Sequence, residues 1–124
     1  MAEAVLGATA LWHFLAFWHF TFFPARTLAR TTRERPVNVL AAELFRFLGG
    51  INLALVVLAV VSLMAPPGQR WPAFVALAVA NLSQWAVDVR VQRPGLVHGP
   101  FFRQILAGDV VFTAANVAAL FSLQ

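Results

Sequence analysis

The residues of this chain that can do chemistry sit inside its apolar stretches. Asn81, Gln84, Trp85 and Asp88 follow i, i+3, i+4, i+7, which lays two amides, an indole and an acid on one helical face. Asp109, Thr113 and Asn116 show a similar spacing further on. Glu43 and Arg46 share a face with Phe47, Gly50 and Ala54. Thr9, His13, Phe17 and Phe20 form one stripe, with Trp12, Ala16 and His19 along its neighbour. Buried carboxyls and imidazoles can exchange protons with a bound molecule. Asp109, Glu43 and His13 are therefore the candidate catalytic groups, with either acid as proton donor or acceptor and His13 as its partner. Asn81, Gln84, Trp85, Asp88, Arg46, Asn116 and His19 are the candidate ligand-binding groups. The plainer alternative is that these side chains only tie helices together, at about 1 kcal/mol per hydrogen bond.

The elements that must hold them are membrane spans. The chain has 124 residues, of which 60% are hydrophobic and 11% charged. A soluble domain carries roughly a quarter charged residues, so a water-soluble fold is disfavoured and disorder is excluded. Four segments reach the roughly 20 apolar residues a bilayer core requires. They run over about Ala4–Phe23, Val37–Met64, Trp71–Val91 and Phe101–Leu123, with proline at every junction. The expectation is a single all-α domain, an integral membrane four-helix bundle. The N-terminal span has no basic leader, and its apolar run continues past Ala8-Thr9-Ala10, so it reads as a retained span and not a cleaved signal.

Arginine sets the orientation. The segment after the first span holds Arg26, Arg30, Arg33 and Arg35 against Glu34, and Arg90, Arg93 and Arg103 flank the loop after the third. The opposite side holds only Arg70. The positive-inside rule puts the arginine-rich side in the cytoplasm and both termini on the non-cytoplasmic side, most simply of the cytoplasmic membrane. This placement accounts for most of the net charge of +4 through contact of Arg26, Arg30, Arg33 and Arg35 with anionic lipids, and it makes nucleic acid a poor partner.

Depth sorts the polar residues into two layers. His13, Asn52, Asn81 and Asp109 fall near the middle of their spans. His19, Glu43, Arg46, Gln84, Asp88, Arg103 and Gln104 fall nearer the arginine-rich side, where alternating chain direction makes them converge. A polar cavity open towards the cytoplasm is one natural result. For Glu43, Arg46, Asp88 and Arg103, an ion-pair network closing that end is the first reading and a ligand or proton site the second. Asp109 is the deepest acid, and with His13 or an Arg beside it, it can ionise and act as acid or base.

Metal and redox chemistry have little to stand on. There is no Cys, and His13 and His19 lie about 120° apart around a helix, which suits no shared metal. No cofactor is expected. Gly49-Gly50 and Gly108 with Ala115 and Ala119 are small-residue surfaces for close helix packing, and Trp12, Trp18, Trp71 and Trp85 read as interfacial anchors and apolar walls.

The segment Arg46-Phe47-Leu48-Gly49-Gly50-Ile51-Asn52, following the arginine-rich stretch, resembles the R-x-x-G-G stretch in the second helix of DoxX-like and related small four-helix bacterial membrane proteins. The resemblance implies four spans and transfers no single activity. Small multidrug-resistance transporters are similar in length and span number but carry an acid in the middle of the first helix, where this chain has His13. Emopamil-binding sterol isomerases share the architecture of acids, Asn and Trp around a membrane cavity.

Three functions fit these observations. The first is binding of a lipophilic small molecule in the polar cavity, with acid/base chemistry such as isomerisation or hydration. The second is a non-catalytic subunit or scaffold of a larger membrane complex, which predicts mutually satisfied polar groups and no cavity. The third is a proton-coupled transporter working as a homodimer, with Asp109 or Glu43 as the coupling acid.

Overall fold

A computed structural model of the chain describes residues 1–33, 36–92, 95 and 97–123. Glu34, Arg35 and Arg93, which entered the charge count above, lie outside them. The described residues are all-α: α1 (Ala2–Phe22), α2 (Pro24–Thr31), α3 (Val39–Met64), a short 3-10 turn at Pro67–Gln69, α4 (Trp71–Gln92) and α5 (Pro100–Phe121). The four long helices, α1, α3, α4 and α5, are long and apolar enough to cross a membrane. Their ends fall within two residues of the sequence boundaries, because proline fixes them. Pro24 and Pro100 each occupy a first helical turn, where a missing N–H costs nothing. Asn38 caps α3 by accepting from Leu40 N at 2.8 Å.

One element departs from the sequence reading. The stretch after α1, expected as an arginine-rich loop, winds into α2, with Pro24, Thr27, Leu28 and Thr31 buried and Arg26 and Arg30 one turn apart on its exposed face. Pro24 ends α1 and at the same time starts this second helix. An eight-residue helix with two arginines and two threonines gives too short an apolar stripe to be read from periodicity. Thr27 Oγ1 donates to His19 O at 3.2 Å, which ties α2 back to α1.

Packing pairs α1 along α3 and α4 along α5, and the pairs meet chiefly through α1 and α5, with a looser seam between α3 and α4. Towards the chain termini the interior is dry. Leu6, Ala10, Ala59, Phe74, Leu77 and Ala119 form one buried apolar cluster. Arg70 seals this end from a buried position: its guanidinium donates to Ala65 O at 2.9 Å, to Leu63 O at 3.1 Å and to Glu3 Oε1 at 3.0 Å. The chain thus meets α3's last carbonyls with a cation, where the helix dipole favours one. At the opposite end His98 N donates to Thr31 O at 2.7 Å, joining the segments that follow α2 and α4. Gly99 makes that approach feasible, with φ at +95° and Arg30 O only 3.2 Å from where a side chain would begin.

The outside of the bundle is apolar, and polar residues share its interior with the apolar cluster. Leu11, Trp18, Phe22, Leu40, Phe47, Val61 and Val111 are exposed, whereas Thr9, His13, Asn52, Asn81, Asp109 and Asn116 are each no more than 2% exposed. Apolar outside and polar inside is the order a lipid solvent demands.

Candidate functional site

The three buried asparagines adopt one posture. Each turns its amide N–H back to the carbonyl four residues earlier, Asn52 to Leu48 O, Asn81 to Leu77 O and Asn116 to Phe112 O, at 2.7–2.9 Å. This leaves each Oδ1 as an acceptor with no backbone donor. Asn52 Oδ1 meets His13 Nδ1 at 2.7 Å, so the proton of that bond is on the ring nitrogen. Asn116 Nδ2 also reaches Thr9 Oγ1 at 3.2 Å, joining α5 to α1. Asn81 Oδ1, Asn116 Oδ1, His13 Nε2 and one oxygen of Asp109 remain without a hydrogen-bond partner in the described residues.

Asp109 is held by an indole. Trp12 Nε1 donates to Asp109 Oδ1 at 3.3 Å, and the Trp12 ring stacks on Phe112 with centroids 5.4 Å apart. Gly108 makes the room, since a Cβ there would collide with the same ring. The partner of Asp109 is therefore Trp12, not His13, whose Nδ1 is taken by Asn52. Asp109 Oδ2 is the buried oxygen left free.

A cavity of about 190 Å³ opens beside this pair, between α1 and α5. Leu15, Phe20, Phe101 and Ile105 wall it, Trp12, Asn52 and Asp109 line its deep end, and His19, Gln84 and Gln104 supply further polar groups. A second cavity, of about 360 Å³, lies towards the α3–α4 seam and is bordered by Asp88, Phe45 and Val87. The two share Phe20, Gln84 and Ile105 as common walls. Asp88 Oδ2 is another buried oxygen without a partner among the described residues.

Of the residues singled out by sequence, Asp109, Gln84 and His19 meet around the first cavity and Asp88 borders the second. His13, Asn81 and Asn116 are in the buried polar layer, and Trp85 is half-buried. Glu43 and Arg46 do not join them. They pair with each other on the outward face of α3, both more than half exposed, beside exposed Phe47, Gly50 and Ala54. The face of α3 that turns inward carries Gly49, Asn52, Ala59 and Ser62. Arg103 is exposed, and among the described residues the ion pairs are Glu43–Arg46 and Glu3–Arg70, so no cross-helix network of Glu43, Arg46, Asp88 and Arg103 forms.

Two site residues do more than the sequence assigns them. Trp12, an anchor or apolar wall by sequence, sits in the middle of a span far from either interface, walls the cavity and donates to Asp109. Asn52, at mid-depth by sequence, accepts from His13 and lines the same cavity. Within the R-x-x-G-G stretch, Gly49 is the residue that faces a partner, with Thr21 N 3.1 Å from where its Cβ would sit. No family model, curated protein or solved structure matches this chain.

Proposed function

We propose that this is an integral membrane protein, a four-helix bundle with its arginine-rich end in the cytoplasm, that binds a lipophilic small molecule between α1 and α5. The observation that carries this reading is the cavity whose walls are apolar and whose deep end presents an oriented acid. Trp12 fixes one oxygen of Asp109 and leaves the other buried and unpartnered. Such an oxygen can accept a hydrogen bond from a bound molecule or exchange a proton with it. Asn52 and Gln84 lie at the same cavity and can orient a polar group of the ligand. The subunit reading expects satisfied polar groups and a filled interior, and the free oxygens of Asp88 and Asp109 beside cavities favour the binding reading over it.

Native mass spectrometry of the protein released gently from its own membranes tests this. A discrete small-molecule adduct is expected on the wild type and on Glu43→Gln, and is expected to be lost on Asp109→Asn. A stoichiometric protein partner in place of the adduct, unaffected by Asp109→Asn, overturns the proposal in favour of a subunit role.

A further inference from the structure

The mouth of the α1–α5 cavity is charged in one sign only. Arg26 and Arg30 border a cavity of about 200 Å³ together with His19 and Phe101. Arg30 also borders one of about 340 Å³ with Phe101 and Gln104. Phe101 is common to both and to the deeper cavity, whose wall His19 and Gln104 share. No carboxylate lines either outer cavity, and neither arginine has an ion-pair partner among the described residues. Two guanidiniums one helical turn apart, beside an imidazole, make a donor set for a carboxylate or phosphate. Past Phe101 the wall is mostly Leu15, Ala16, Phe20 and Ile105 with Gln84 the polar group among them, which suits a hydrocarbon better than a free anion.

We propose that the ligand is an anionic amphiphile. Its head sits on Arg26 and Arg30 at His19, and its lipophilic body runs along the α1–α5 crevice to Trp12. The seven residue steps from Trp12 to His19 set the body at about 10 Å, at 1.5 Å rise per residue. This rests on the binding reading above and adds a charge and a length to it.

The probes are ω-bromodecanoate and its neutral counterpart ω-bromodecanol, which differ only in the head, are told apart by the mass each adds, and carry a terminal bromine that quenches indole fluorescence. Native mass spectrometry of the full wild-type chain is expected to show the carboxylate bound about thirtyfold more tightly than the alcohol, the scale of two interfacial arginines acting together. The double variant Arg26→Gln, Arg30→Gln, altered at two exposed positions, is expected to lose that preference and keep its fold. In a variant carrying Trp18→Phe, Trp71→Phe and Trp85→Phe, the terminal bromine is expected to quench the remaining Trp12 fluorescence. Equal binding of acid and alcohol overturns the anionic head while leaving the cavity reading intact. Binding of neither probe overturns both. Full displacement of the carboxylate by millimolar inorganic phosphate overturns the amphiphile in favour of a free anion held at the arginines alone.

Discussion

The two ends of this molecule solve the same packing problem in opposite ways. At the terminal end, Leu6, Ala59, Phe74 and Leu77 fill the interior, and the space beside them is an outward-facing apolar groove of about 260 Å³ between α4 and α5. Arg70 ties the start of α1, the end of α3 and the start of α4 together. At the arginine-rich end the helix pairs part, cavities lie between them, and Asp88 and Asp109 each keep a buried oxygen without a partner. In lipid there is no hydrophobic drive to press helices together, so close contact depends on shape and hydrogen bonds. A filled end can therefore hold the helices in place while the other stays open. The filled end does the holding, and the other keeps space between its helices.

The largest expected effect tests that division. Phe74→Ala removes a fully buried ring from the dry cluster and is expected to cost about 3 kcal/mol. Phe20→Ala removes a ring of similar burial that stands between the two cavities and touches Phe45 at 5.0 Å between centroids. Phe20 has interior cavities on two sides, where Phe74 has one outward groove, so it has fewer contacts to lose and about half that cost is expected. Unfolding in mixed micelles titrated with sodium dodecyl sulfate measures both. Equal losses would show that the arginine-rich end is as tightly packed as the terminal one, and the contrast would fall.

Arg70 comes next, and it divides into parts. Arg70→Gln leaves Leu63 O, Ala65 O and the Glu3 carboxylate without their donor and is expected to cost about 2 kcal/mol in the same titration. Glu3 is largely exposed, so Glu3→Gln is expected to cost no more than about 0.5 kcal/mol. Equal losses would mean that the ion pair, and not the capping of α3, closes the terminal end.

How much of this was legible in the sequence differs between the two ends for a physical reason. Helix ends were legible because proline fixes them, and the buried polar layer because Asp, Asn and His stand out against Val, Leu and Ala. Which face of α3 turns inward was not. That helix is apolar nearly all round, so periodicity offers no contrast, and the face is chosen by the fit of Gly49 against Phe17 and Thr21 of α1. Choosing Gly50 in place of Gly49 turns the helix by about 100°, and that turn separates a cavity residue from one facing outward. The same limit hid the Arg70 clamp, whose acceptors are backbone carbonyls that no side-chain pattern reports. Trp12 was hidden differently: only the space over Gly108 and the nearness of Asp109, 97 residues on, make it a hydrogen-bond donor in the site and not an anchor.

The smallest predicted effect bears on that choice of face. Glu43 and Arg46 pair along one helix, both more than half exposed. A pair of this kind is worth a few tenths of a kcal/mol at most. Glu43→Gln is therefore expected to change stability by less than about 0.5 kcal/mol, within the scatter of surface substitutions. The difference from Asp109→Asn is then one of location and not of residue type, since both replace a carboxyl by its amide. A loss above about 1.5 kcal/mol on Glu43→Gln, or loss of the small-molecule adduct with it, would mean that α3 turns its other face to the crevice. Glu43 would then have to be read with Asp88 and Asp109 as part of the site.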